Sequence, residues 1–123
     1  MSYDVEIEQE VRAWLGGLPR AHYLYVLGVV RRLKATPTAL GDLTKSLGEG
    51  LWELRLKRVG DVSIRITYWI APDKRIILLT VFDKTRMNER KQVQRAKKAL
   101  QVCRAGAHPH LAALETYQRY EDE

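Results

Sequence analysis

The 123-residue sequence has little cysteine, phenylalanine or proline: one Cys103, one Phe82 and four prolines. A single cysteine excludes an intramolecular disulfide and any zinc site built from several thiolates, and it fits a reducing, cytoplasmic compartment. Long apolar runs are missing too. The two longest, near residues 23–30 and 76–82, fall far short of the roughly 20 residues that cross a bilayer, so no membrane association is expected. The first ten residues carry four acids and no base, unlike the basic start of a signal peptide. Internal repeats, low-complexity segments, a glycine-rich phosphate loop and a serine-centred nucleophile motif are all lacking. His108 and His110 flank Pro109 without partners at ligand spacing, so neither a metal nor a small-molecule cofactor is expected.

What remains is ordinary globular material: 46% hydrophobic and 29% charged residues, enough for one core and one domain over residues 1–123. The charge is unevenly placed. The net +6 comes from 21 bases and 15 acids, yet residues 55–104 alone hold fourteen bases and four acids, between acidic ends. Such a block reads as an electrostatic footprint for a polyanion, most plausibly nucleic acid. The competing reading is a solvated, Lys- and Arg-rich helix.

Along the chain, residues 3–7 alternate as a short strand, with Val5 and Ile7 on one side. Val11, Trp14 and Leu15 then follow helical spacing until Gly16-Gly17. A second helix enters at Pro19, carries Tyr23, Val26, Leu27, Val30 and Leu33 on one stripe, and ends before Pro37. Residues 36–50 hold turn formers and scattered leucines, which predicts an ordered loop. Three strands follow over 51–58, 62–71 and 75–83, joined by Gly60-Asp61 and Pro72-Asp73. Turns this short imply an antiparallel meander, and the third strand is apolar enough to be covered on both faces. Asn88 reads as the N-cap of a helix to about Arg104, with Val93, Ala96, Leu100 and Cys103 as its apolar stripe and Lys91, Arg95 and Lys98 opposite. After Gly106 and Pro109 a last short helix is expected around Leu111, Leu114 and Tyr117.

If the strands over 51–58 and 62–71 pair, alternation places Glu53, Arg55 and Lys57 on one face with Arg65 and Thr67. Charges are costly in a core, so this face is expected to open onto solvent, a partner or a substrate. The next strand ends in Asp83-Lys84-Thr85-Arg86, which brings two more cations to the sheet edge. Cations around one carboxylate suit phosphoryl chemistry: they bind the scissile phosphate and offset the charge that grows in the transition state, while a base removes a hydroxyl proton. The arginine fork matches phosphate oxygens in pairs. Without a metal, such a site cleaves RNA by activating the neighbouring 2′-hydroxyl. The alternative is a cross-strand salt-bridge ladder on a solvated face. Trp52 and Trp69 are read as packing residues, with base stacking the alternative for Trp69. Cys103 is read as core.

The segments Gly50-Leu51-Trp52-Glu53-Leu54-Arg55, Ser63-Ile64-Arg65-Ile66-Thr67-Tyr68 and Phe82-Asp83-Lys84-Thr85, in this order, resemble the RelE/HigB superfamily. These are toxins of bacterial type II toxin–antitoxin modules, and the likeness over residues 3–104 is to the phage-derived HigB-like branch. The resemblance implies a RelE-like α+β fold, β-α-α-β-β-β-α, with a curved antiparallel sheet carrying the active face; residues 105–123 would add a C-terminal helix. It also implies a metal-independent, ribosome-dependent mRNA endonuclease and a cognate antitoxin of the helix-turn-helix type. By motif position, Arg55 and Arg65 would bind phosphate and stabilise the transition state, with Lys84 assisting. Glu53 would be the base or would orient Arg55. Lys57, Arg58, Arg86, Arg90, Lys91, Arg95 and Lys98 would grip RNA. Asp83 replaces a lysine of the family motif, and Met87 a polar or aromatic group. Tyr117, Tyr120, His108 and His110 are available near the chain's end, where many relatives have an aromatic or histidine, but none aligns with it. Two other functions fit the same fold: a ParE-like gyrase inhibitor, and an inactive antitoxin-binding repressor partner.

Overall fold

The computed structural model describes residues 3–85, 89–106 and 112–113, without the side chains of Arg58, Ala112 and Ala113. In chain order the elements are β1 (Asp4–Ile7), α1 (Gln9–Gly16), α2 (Arg20–Ala35), a 3-10 turn at Gly41–Leu43, β2 (Thr44–Gly48), β3 (Leu51–Val59), β4 (Val62–Ala71), β5 (Arg75–Asp83), α3 (Glu89–Arg104) and β6 (Ala112–Ala113). They build one sheet in the order β2-β3-β4-β5-β1-β6. The mixed α+β architecture and the meander from β3 to β5 follow the expected pattern.

Three features differ from the sequence reading. Thr44–Gly48 is a strand, not a loop, paired antiparallel to β3. Its only large apolar residue is Leu47, so alternation could not mark it; the backbone groups on the outer edge of β3 recruit it. β1 lies parallel to β5, with Asp4 opposite Arg75 and Ile7 opposite Leu78, an arrangement that needs the long crossover supplied by both helices and the meander. Ala112 and Ala113, expected within a helix, instead pair antiparallel with Ile7 and Glu6 on the outer edge of β1. The remainder of that expected helix, and the N-cap Asn88, lie outside the described residues.

Period-two alternation divides the sheet into two faces. On one, Val5, Ile7, Leu54, Leu56, Ile64, Ile66, Tyr68, Ile76 and Leu78 pack against Val11 and Leu15 of α1 and Tyr23, Val26, Val30 and Leu33 of α2. Tyr68 donates to the Pro37 carbonyl at 2.6 Å, and Trp52 stacks on its ring at 6.4 Å between centroids, the packing role expected of Trp52. On the other face Leu51, Ala71, Ile77 and Leu79 lie under Ala96, Leu100 and Cys103 of α3. β5 is therefore covered on both faces, as its apolar run predicts. α3 packs on only part of this second face.

The β2–β3 turn is tied to α3. Gly50 adopts φ +84°, and a Cβ there would stand 3.1 Å from Arg104 Nη2 and 3.5 Å from the Trp69 indole. Gly50→Ala should lower unfolding free energy by about 1–3 kcal/mol in urea titration, through left-handed strain plus this close approach. Gly28, in α2 with open space around its Cα, gives the opposite expectation: Gly28→Ala should stabilise by about 0.5–1 kcal/mol.

Candidate active site on the sheet face

On the face roofed by α3, the strand register arranges side chains in rows across β3, β4 and β5. Leu51, Trp69 and Ile77 form the row beneath α3; Glu53, Thr67 and Thr80 form the next; Arg55, Arg65 and Phe82 form the third. A bulge keeps the rows aligned: Leu79 is the extra residue between the pairs Thr67–Thr80 and Tyr68–Leu78. Beyond them, the Lys84 amide donates to the Ser63 carbonyl at 2.9 Å. Lys57, within the irregular stretch of the β3–β4 pairing between Leu56 and Val59, and Lys84, just past the end of β5, are both exposed.

The charged residues are placed together as alternation predicts, but the face is less open than expected. Glu53 has no solvent exposure and Arg65 retains only 8%. Both guanidiniums converge on one carboxylate oxygen: Arg55 Nε donates to Glu53 Oε1 at 3.2 Å, and Arg65 Nε stands 3.6 Å from the same atom. Arg65 also donates from Nη1 to the Ile64 carbonyl at 3.3 Å. This burial has a physical cause: a buried charge is tolerated when it is paired, and pairing removes the need for an open face. Arg55, with a side chain 28% exposed, presents the trio to solvent. Unit charges about 4 Å apart interact by about 4 kcal/mol at an effective dielectric of 20, so repulsion between the guanidiniums is comparable with the attraction of each for a carboxylate. One shared carboxylate holds them together and leaves a net +1, an attractive seat for an anion.

Glu53 Oε2 and Arg65 Nε are buried without a hydrogen-bond partner among the described residues. Behind the trio, Thr67 and Thr80 share a hydrogen bond at 2.5 Å, both buried. Sequence reasoning placed Thr67 on this face but did not single out Thr80, because threonine in a strand is ordinary and only the bulge turns Thr80 toward it.

The cations of α3 divide. Arg90, Lys91 and Lys98 are exposed. Arg95 is engaged within the protein: it forms an ion pair with Glu10 of α1 and donates to the Val81 carbonyl at 3.3 Å, while Glu10 accepts from the Val81 amide at 2.8 Å. β1 ends before Val81, and these two side chains cap the edge of β5 that it leaves. Arg104 lies over the Trp69 ring at 5.5 Å and donates to the Glu49 carbonyl at 2.5 Å, so Trp69 is a packing residue beneath a cation. The side chain of Arg58, and Arg86, Met87, His108, His110, Tyr117 and Tyr120, lie outside the described residues. Among the described residues no group of three His, Cys, Asp or Glu is placed to hold a metal, and no helix is long and apolar enough to cross a membrane.

An open pocket of about 230 Å³ lies between α1, β5 and α3, lined by Glu8, Glu10, Thr80, Arg95 and Cys103 among others. Burial, reinforced by Glu8, pushes the Cys103 thiol up to about 11. At pH 8 only about one molecule in a thousand then carries the thiolate, which is the nucleophile. Alkylation by iodoacetamide, followed by mass spectrometry, should be slow in the folded protein and fast in urea. Glu53→Gln keeps the shape but removes the charge shared by two arginines. It should lower stability by about 3–5 kcal/mol in urea titration, the range for a buried ion pair that loses one partner.

Against known proteins, residues 13–102 match the family model described as phage-derived protein Gp49-like (DUF891). No curated protein sequence matches the chain. Among solved structures, the fold is similar to a mutant of the E. coli toxin RelE in the free state: TM-score 0.58 at 14% identity, covering 82% of this chain and 97% of that one. The family match spans the charged sheet face and its helical roof, and the structural match gives the same architecture. The chain belongs to the phage-derived Gp49-like family and has the RelE fold.

Proposed function

We propose that this protein is the toxin of a type II toxin–antitoxin module and cleaves mRNA on the ribosome without a metal. The observation that carries this reading is the arginine pair, Arg55 and Arg65, gathered by the buried Glu53 at the open end of the sheet face. The fold likeness to a chain described as a toxin supports it. In the proposed reaction the scissile phosphate sits on the two guanidiniums, which bind its non-bridging oxygens and offset the charge gained in the transition state. The 2′-oxygen attacks phosphorus, its proton passes to a base, and the bond to the 5′-oxygen breaks. The departing 5′-oxygen takes a proton from water, so a 2′,3′-cyclic phosphate and a free 5′-hydroxyl result. Glu53, buried and already engaged by both arginines, fits the positioning role better than the base.

Lys57 and Lys84 fit the next phosphate. Two residues of a β-strand advance about 7 Å through six backbone bonds, and one nucleotide of an extended single strand also advances through six. Alternate side chains on one strand face therefore keep step with successive phosphates. The exposed Arg90, Lys91 and Lys98 of α3 would hold ribosomal RNA through salt-sensitive contacts. A cognate antitoxin, of helix-turn-helix type, would be the partner, and the setting cytoplasmic.

Wild type and Arg65→Ala, expressed under tight induction with mRNA 5′ ends mapped, test the reading. Growth arrest with new cuts inside translated codons, both lost in the variant, is the expected result. Arrest that survives the substitution without RNA cleavage would sink it and favour a gyrase-type target; no arrest would favour the inactive repressor partner.

A further inference from the structure

The Thr67–Thr80 hydroxyl pair has one proton more than its own bond uses. Two hydroxyls carry two O–H donors, and their bond at 2.5 Å consumes one. Whichever hydroxyl accepts must place its own proton elsewhere, in a site where Thr67 is fully buried and Thr80 nearly so. In the same row, directly opposite Thr67 on β3, stands Glu53, whose Oε2 is buried without a hydrogen-bond partner among the described residues. A surplus donor and an unsatisfied acceptor thus belong to residues that are directly paired on neighbouring strands. A single ordering satisfies both: Thr80 donates to Thr67, and Thr67 donates to Glu53 Oε2. The terminal torsion of a glutamate is soft, so turning the carboxylate to close that contact requires little energy.

We propose that Thr67 is a positioning residue for the arginine pair, acting through Glu53. With Oε2 held by Thr67, Oε1 stays turned toward Arg55 and Arg65, and both guanidiniums keep the spacing that the phosphate requires. The inference rests on the ribonuclease reading for its consequence in catalysis, but its structural content stands in the free protein. Thr80 touches neither Glu53 nor the arginines through any observed bond; it backs Thr67 from the side of the pocket between α1 and α3.

Thr67→Val and Thr80→Val make a matched pair. Each is near-isosteric and each breaks the same hydroxyl–hydroxyl bond, but Thr67→Val also leaves Glu53 Oε2 without its donor, so it should lower the melting temperature more than Thr80→Val does. Only Thr67→Val removes the donor to Glu53. In NMR of the purified free protein, the Arg55 Nε–H signal should exchange with solvent about tenfold faster in Thr67→Val, and close to the wild-type rate in Thr67→Ser and Thr80→Val. With purified ribosomes and a defined mRNA, Thr67→Val should lower kcat about tenfold with a smaller change in KM, and Thr67→Ser should restore it. An Arg55 signal unmoved in Thr67→Val, or moved equally in Thr80→Val, would overturn the proposal. If the wild type itself does not cleave, the ribonuclease reading fails while the exchange measurement still decides the role of Thr67.

Discussion

Glu53 lies on β3 with no solvent contact, and an ionised carboxylate there persists only with cations beside it. Arg55 and Arg65 supply them, from two neighbouring strands and onto one oxygen. This sharing constrains much of what surrounds it. β3 and β4 must pair in a register that sets Arg55 opposite Arg65, because a slip of one residue would send every charge on this face into the apolar core on the other. The two guanidiniums repel each other, so their common carboxylate fixes their spacing while leaving positive charge to spare.

The rest of the fold keeps that arrangement half covered. α1 and α2 pack against the apolar residues of one face of the sheet, while α3 packs across only the apolar row of the other. Small residues on α3, Ala96 and Cys103, bring the helix close to the sheet, and its ends are tied by side chains. Arg95 clasps Glu10 and the edge of β5, and Arg104 clasps Trp69 and the β2–β3 turn. Across the sheet the face therefore grades from apolar, through the buried hydroxyls, to paired charge and finally to exposed lysines.

The sheet strands from β3 to β5 were legible in the sequence because alternation over nine or ten residues is a strong signal and the turns between them are short. The same alternation placed Glu53, Arg55, Lys57, Arg65 and Thr67 on one face. What escaped it depends on partners distant in sequence. β2 has one large apolar residue and exists because the edge of β3 is there to pair with. The parallel contact of β1 with β5, and the pairing of Ala112-Ala113 with β1, join segments that share no local pattern. Arg95 resembled a solvent-facing cation on its helix, and its acid, Glu10, lies 85 residues away. The burial of Glu53 was also hidden, since residue type argues for exposure and only the two arginines make burial tolerable. The side chain of Thr80 reaches the site through a bulge that its own segment does not announce.

The central claim is that the arginine pair held by Glu53 is the phosphate seat. The most direct measurement titrates the free protein with a short 2′-O-methyl RNA, which cannot be cleaved at the protected hydroxyl, while following the arginine Nε–H signals by NMR. The account predicts that Arg55 and Arg65 shift together along one saturable curve that weakens as salt is raised. Shifts confined to the Lys91–Lys98 stretch of α3, with Arg55 and Arg65 unmoved at saturation, would contradict it.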